Sequence, residues 1–491
     1  MSKEMKRKVL LLTPPFFPKF SRAQRRPAVI KSGTLYYPIW LAYATGVLEK
    51  EGHCVKLIDA PAEKLSLDAV LALARDFKPQ LAVLDTSTPS VYSDINVAKE
   101  IKRVAPDCFI TLVGTHVSAL PEETLRLDTC IDAIAIGEYD FTLKELAATL
   151  QSGGDLKGVQ GLCFRNNGEV MRNASRAYIK NLDDLPFVSS VYQKHLKIEN
   201  YFYSITKHPQ ITIMTSRGCP YQCSFCVYPQ TIHGHTHRRR SVSNVIEEFK
   251  FIRKEFPQVK EIFIEDDTFT LDKKYCVEFS ERMISEGITI PWTANSRVDI
   301  KEETLRRLKD ANCRLLCIGI ESGDQAILDN IKKGIKLDQI KEFVKNAKRV
   351  GILVHACFIV GNPGETKRTL HKTLGFAKEL KPDTAQFFPL MVYPGTEAYT
   401  WAKENGYLET LDYSKWITDE GLHNCVISTP ELSSKDLVQF CDNARQSFYL
   451  RPRYILSKLA QIVMHPSESK RILKTAFIFF KYLARGTVRK T

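Results

Sequence analysis

Cys219, Cys223 and Cys226 stand in the run Thr215-Ser-Arg-Gly-Cys-Pro-Tyr-Gln-Cys-Ser-Phe-Cys226, a C-x3-C-x2-C spacing. Iron–sulfur cubanes ordinarily take four cysteine thiolates, so three from one short loop supply a 4Fe-4S cluster and leave one iron open to another ligand. A zinc site or three unconnected buried thiols are the competing readings, but zinc needs a fourth ligand and favours paired C-x2-C spacings. His233, His235 and His237 alternate shortly afterwards. An H-x-H-x-H run can bind metal; the expectation here is a polar loop near the open face of the second domain, touching substrate. Cys313 and Cys317 flank a strand and Cys357 begins one, and isolated cysteines are commonly just buried. The sequence shows no second cysteine cluster, so no auxiliary iron–sulfur centre is expected.

The elements that position these residues follow from hydrophobic periodicity. A chain of 491 residues exceeds one core's usual size, so two large domains and an appendage are expected. Residues 1–150 alternate apolar runs with helical patterns as a doubly wound α/β sheet does. The spacing predicts strands at Val9–Leu12, Cys54–Ile58, Leu81–Asp85, Phe109–Val113 and Ala133–Ile136, and helices at Ile39–Glu51, Leu67–Phe77 and Ser93–Val104. The strands end in Thr13, in Ser87 and Thr88, in Gly114, Thr115 and His116, and in Glu138. Ligands of such folds bind at the carboxyl ends of the strands, so these tips form one candidate site. Residues 151–205 read as a connector with a hairpin around Asn167-Gly168. Residues 206–400 alternate strands and helices again, as a parallel barrel or part-barrel would. Residues 401–491 read as a helical, basic C-terminal region.

The net charge is +14. From Arg451 to Thr491 there are ten Lys or Arg against one acid, a local charge of +9. Tyr454, Ile455, Leu459, Ile462 and Val463 make one apolar helical face there, and Ile472, Ala476, Phe479, Phe480 and Leu483 another, as interfacial helices require. A basic helical cap packed on the barrel is the plainer alternative. Met1 to Lys8 is polar, with no apolar signal region, and no stretch reaches a membrane span's length. Thirteen cysteines are too few for a disulfide scaffold of this length and suit a reducing compartment. The expectation is a cytoplasmic protein, in peripheral contact with an anionic membrane at its inner face.

The cysteine loop and the strand ends after it resemble the radical SAM superfamily. The resemblance implies that the open iron chelates S-adenosylmethionine and that one electron cleaves it to a 5'-deoxyadenosyl radical, with a flavodoxin or ferredoxin as donor. Phe225 matches the aromatic position beside the adenine. Ile262-Phe263-Ile264-Glu265-Asp266-Asp267 matches the strand whose acids hold the methionine amine, with Asp266 and Asp267 as candidates; capping a helix N-terminus is their bland alternative. Asn295 and Arg297 project together from the next strand. Ile318-Gly319-Ile320-Glu321-Ser322-Gly323 is similar to the segment whose Glu321 and Ser322 would meet the ribose or carboxylate. Phe358 to Thr366, with Gly361 and Asn362, resembles the motif beside the adenine, its glycine letting backbone approach the cofactor.

Residues 1–150 resemble the cobalamin-binding domain that precedes many radical SAM cores, through Leu57-Ile58-Asp59-Ala60, Val113 to Glu122 and Gly137-Glu138-Tyr139-Asp140. The D-x-H-x-x-G signature that supplies a lower axial histidine is absent: the matching stretch reads Tyr36-Tyr37-Pro38-Ile39-Trp40. The resemblance therefore implies base-off cobalamin without a protein histidine; a degenerate flavodoxin-like domain is the alternative. Tyr228 to His235 followed by Arg238-Arg239-Arg240-Ser241 is most similar to members associated with hopanoid biosynthesis and with ring formation in archaeal tetraether lipids. Its implication is a lipid or lipid-linked substrate, on which the cofactors would carry out C-methylation, or ring formation or rearrangement, at an unactivated carbon. A small-molecule natural product, RNA, or a non-catalytic cobalamin-binding role are the other readings. RNA ranks lower because the basic residues accompany apolar helices and no nucleic-acid-binding module is recognisable.

Overall fold

In the computed structural model, residues 7–464 and positions 469, 473, 476 and 477 are described. The first sheet has seven strands in the order β2-β1-β3-β4-β5-β6-β7: β1 Lys8–Thr13, β2 Cys54–Asp59, β3 Leu81–Asp85, β4 Phe109–Val113, β5 Ala133–Ala135, β6 Leu162–Asn166 and β7 Glu169–Arg172. β1 to β5 run parallel. β3 is buried along its whole length, and its Leu-Ala-Val-Leu run is apolar without alternation because helices cover both faces. The helix Leu67–Phe77 starts where Ser66 Oγ accepts from Ala69 N, and it turns Val70, Leu71 and Ala74 inward.

The connector differs from expectation. Its hairpin turns at Asn167-Gly168 as the sequence predicts, but β6 pairs antiparallel with β5 and so extends the first sheet. An apolar edge at Ala133–Ala135 would otherwise be open, and the hairpin covers it.

The second sheet holds six parallel strands in the order β15-β14-β13-β12-β11-β8. They are β8 Gln210–Ile213, β11 Glu261–Ile264, β12 Trp292–Ser296, β13 Cys313–Glu321, β14 Leu353–Val360 and β15 Thr384–Pro389. Trp292 packs edge-on against Phe269 and Phe279 in the helical layer. Asn295, two residues on from Thr293, faces the lumen, as the period of two requires. Between β8 and β11 a short antiparallel pair, β9 Ser216–Arg217 with β10 Arg238–Arg239, clamps both ends of the cysteine loop.

Residues 14–38, after β1, form a strap between the two domains. Val29 N donates to Gly421 O at 2.8 Å, and His423 Nε2 meets Arg26 O at 3.1 Å. The helix Ser434–Tyr449 closes the open side of β15, where the Tyr449 hydroxyl donates to Ala385 O at 2.6 Å. The helix Pro452–Met464 follows. Of the second predicted apolar face, Ile472, Phe479, Phe480 and Leu483 lie outside the described residues. No described helix is long and apolar enough to cross a membrane.

Candidate active site

The cysteine loop is fixed by backbone chemistry. Gly218 has φ +86°, and a Cβ there would lie 2.2 Å from Thr236 O, so only glycine passes this point. Gln230 Nε2 donates to the carbonyls of Cys223, Ser224 and Cys226 at 3.3, 3.3 and 2.9 Å. Cys219 N donates to Gly234 O at 3.3 Å, and His235 Nδ1 meets Cys219 O at 3.1 Å. None of the three thiols is in a disulfide. Burial pushes the Cys219 thiol up to about 11 and Cys226 higher, a cost that a metal taking the proton's place relieves. Three soft thiols on one rigid loop fit an iron–sulfur cluster.

The acids after β11 divide by role. Asp266 is fully buried and accepts from Thr215 N (2.7 Å), Ser216 N (3.0 Å), Thr215 Oγ1 (2.5 Å) and Ser216 Oγ (2.7 Å). It braces the start of the cysteine loop and has no acceptor left for a cofactor, a correction to its predicted place. Asp267 accepts from Gly218 N at 3.1 Å, His233 Nδ1 at 2.8 Å and Arg25 Nη2 at 3.3 Å. Burial alone would raise its pKa; the charges and hydrogen bonds of His233 and Arg25 hold it below the carboxylate range. Glu265, not singled out from the sequence, takes Arg25 Nη1 at 2.6 Å and Asn295 Nδ2 at 3.3 Å on Oε1. Its Oε2 is buried with no partner, so the one free carboxylate oxygen of the trio is here.

Across the lumen, Glu321 closes β13 with φ +67°, a strained backbone for a side chain with a Cβ. Its carboxylate meets Lys333 Nζ at 2.6 Å, both side chains buried. Gly319 makes room: a Cβ there would lie 2.1 Å from Glu321 Oε1. Lys333 Nζ stands 5.8 Å from the Phe225 ring centroid, which ties the pair to the cysteine loop. Arg297 lies past the end of β12, its guanidinium 3.4 Å over the Tyr221 ring, with Nη2 donating to Lys333 O at 2.9 Å. Arg25, Gln230 and Lys333 thus join the candidate site, and the motif reading missed them.

Other predicted contacts turn inward. Ser322 Oγ pairs with Thr373 Oγ1 at 3.2 Å and accepts from Asp324 N, holding β13 to the helix Lys367–Leu380. Gly361 makes room for Leu437 of the helix Ser434–Tyr449, 2.8 Å from where its Cβ would be, instead of for a cofactor. Asn362 Nδ2 donates to Ile359 O at 2.9 Å, while its Oδ1 is buried and unpartnered.

At the first sheet's tips, Gly114 has φ +117° and its missing Cβ lets Thr86 O approach to what would be 2.2 Å. Gly114 and Thr115 line a cleft with Asp85 and Thr86, opposite Tyr228 and Ile232 of the barrel and beside Trp40. Thr13 Oγ1 is buried and unpartnered at the neighbouring tip. This interdomain crevice lies at the carboxyl ends of the strands, where folds of this kind bind their ligand. Ser87 is taken by Ser90 at 2.8 Å. Thr88 Oγ1 meets His116 Nδ1 at 3.2 Å, and burial lowers His116 to about 3, so this imidazole is neutral. Glu138 does not face the cleft. It accepts from Arg238 Nη1 at 2.7 Å and Ile179 N at 2.9 Å and lies 3.5 Å from Arg217, joining the two domains. The three loop histidines share no ligand position: His233 is buried against Asp267 and Trp40, and His235 is spent on the loop backbone.

This arrangement, a cobalamin-type sheet set over a part-barrel with a three-cysteine loop, defines the cobalamin-dependent radical SAM enzymes. Family models agree: a B12 binding domain matches residues 25–147 and the Radical SAM superfamily matches 213–377. An uncharacterized methyltransferase of Pyrococcus horikoshii is 35% identical over 92% of this chain and 94% of its own. An anaerobic magnesium-protoporphyrin IX monomethyl ester cyclase of Cereibacter sphaeroides is 26% identical over 84% and 67%. The hopanoid C-3 methylase of Methylococcus capsulatus is 26% identical over 77% and 70%. Among solved structures, the radical S-adenosylmethionine methyltransferase TsrM of Kitasatospora setae, with cobalamin and a [4Fe-4S] cluster bound, superposes with a TM-score of 0.70 at 17% identity, covering 91% of this chain and 90% of that one. The chain belongs to the cobalamin-dependent radical SAM methyltransferase family, and its cofactors are a 4Fe-4S cluster, S-adenosylmethionine and cobalamin.

Proposed function

We propose that this enzyme methylates an unactivated carbon of a lipid or lipid-linked substrate that it meets at an anionic membrane surface. The observation that carries the lipid reading is the helix Pro452–Met464. Ile455, Leu456, Leu459 and Val463 are 42, 64, 54 and 78% exposed along one stripe, a face that water alone would not select. Arg453 accompanies it, while Arg451 donates to Lys378 O and Lys458 lies 4.0 Å from Asp383 on the side turned to the barrel.

When bound, the cluster, S-adenosylmethionine and cobalamin supply the radical and the methyl group. The chain's residues position and shield them. Glu265 Oε2 is the acceptor available to the methionine amine, held in place by Arg25 and Asn295. Glu321 and Lys333 set the opposite wall beside Phe225, and the strap at 14–38 closes the space between the domains to water. A flavodoxin or ferredoxin is proposed as electron donor.

The test is anaerobic turnover of reconstituted enzyme with methyl-labelled S-adenosylmethionine and lipid extract from a strain lacking the protein. Methylation yields a labelled lipid with S-adenosylhomocysteine and 5'-deoxyadenosine together. Ring formation would give 5'-deoxyadenosine without stoichiometric S-adenosylhomocysteine, overturning the methylation claim. A labelled product found only in the water-soluble fraction would overturn the lipid claim.

A further inference from the structure

A second set of ligand-type side chains lies in the lumen, apart from the cysteine loop. Cys317 on β13 stands opposite His355 on β14, and Cys357 lies two residues beyond His355 on the same face. The two sulfurs and an imidazole nitrogen are all within 4.8 Å of one another. Neither cysteine is in a disulfide. His355 Nδ1 meets Thr384 Oγ1 at 2.7 Å, which leaves Nε2 for a ligand. Metal-binding histidines are oriented by such a partner on the other nitrogen.

Two thiolates and an imidazole form a soft donor set suited to zinc. With Zn–S of about 2.3 Å and Zn–N of about 2.0 Å, tetrahedral ligands sit roughly 3.5–3.8 Å apart. A contraction of about one ångström therefore closes the set around an ion. The sequence hides it because the ligands come from two strands, 40 residues apart, with only His355-x-Cys357 as a local trace.

We propose that Cys317, His355 and Cys357 bind one Zn²⁺ inside the barrel and leave its fourth position open to the lumen. Three protein ligands and a vacant position are the pattern of zinc sites that take a substrate or water donor, whereas structural zinc sites are closed by four. The site adjoins the radical chemistry: Cys317 pairs in register with Asn295, whose amide holds Glu265. An oxygen or thiolate donor on the substrate is the ligand class that suits the open position.

The test is metal analysis and zinc-edge X-ray absorption on anaerobically purified, cluster- and cobalamin-loaded full-length enzyme, supplied with Zn²⁺ and dialysed. The expected result is about one zinc per chain beside the iron of a single cubane, with sulfur and nitrogen in its first shell. The Cys317→Ser/Cys357→Ser variant should hold less than about a tenth of that zinc with its iron unchanged. Absence of stoichiometric zinc, a shell without sulfur, zinc retained in the double variant, or the two thiols found joined as a disulfide would each overturn the site. If the variant does not fold, the zinc-edge spectrum of the unaltered protein decides.

Discussion

Arg25 Nη1 donates to Glu265 Oε1 at 2.6 Å across 240 residues of sequence, and its Nη2 reaches Asp267 Oδ1 at 3.3 Å. One side chain of the interdomain strap therefore sets the charge of the acidic strand end in the barrel. Without it, Glu265 would keep only Asn295 as a side-chain partner next to the Asp267 carboxylate, which His233 still holds, and the buried Glu265 would take a proton.

Arg25→Gln should accordingly retain the cluster and fold but lose S-adenosylmethionine binding. Arg25 is a third exposed, so the stability loss should be about 1–3 kcal/mol, below that of a fully buried pair. Equilibrium binding of S-adenosylmethionine and 5'-deoxyadenosine yield check it. Unchanged binding would show that the strap only covers the site.

Lys333 and Glu321 are more deeply buried and paired at 2.6 Å. Lys333→Met leaves the glutamate uncompensated and should cost about 3–5 kcal/mol. Adding Glu321→Gln should restore part of that loss, because the orphaned charge is gone. Denaturant midpoints of the two single variants and the double variant measure the coupling. Additive losses would mean that the pair is incidental to the wall beside Phe225.

What the sequence disclosed and what it hid divide by range. The helix Leu67–Phe77 and the strands Leu81–Asp85 and Phe109–Val113 lie where their periodicity put them, because period and caps are local signals. The cysteine spacing is local too. The destination of the hairpin at Asn167-Gly168 was not legible: its turn chemistry is local, but its pairing with Ala133–Ala135 depends on an edge some thirty residues away. Carboxylates misled for the same reason. Asp266 and Glu265 are equally acidic in sequence, and only the positions of Thr215, Ser216 and Arg25 make one a brace and the other an available acceptor.

His116 gives a pH signature. Burial lowers its pKa to about 3, against about 6.5 in the unfolded chain. Between these values the unfolded state binds a proton that the folded state does not. Stability contributed by the neutral ring is complete above about pH 6.5 and falls as pH drops toward 3, by up to about 1.4 kcal/mol per unit. His116→Phe removes the titration. Subtracting its unfolding free energy from that of the parent at several pH values should give a difference that is flat above neutrality and slopes below pH 6. A flat difference throughout would place the imidazole in contact with water.

The exposed stripe of the helix Pro452–Met464 carries the last prediction. Tyr454 anchors this helix to the barrel through its hydroxyl, which donates to Asp383 O at 3.0 Å, so the opposite face points outward. Leu456 and Leu459 are more than half exposed there, and burying a leucine in a membrane interface recovers about 1.5–3 kcal/mol. Each basic residue close to an anionic surface adds on the order of 1 kcal/mol. Full-length protein should float with anionic liposomes at low salt and release as salt screens the attraction. Leu456→Glu/Leu459→Glu should abolish flotation while leaving cluster and cobalamin loading intact, since neither side chain is in the core. Methylation of a water-soluble surrogate should also be unchanged in that variant, with the loss confined to lipid in vesicles. If the variant floats like the parent, the stripe does not meet the membrane and the lipid reading loses its structural support.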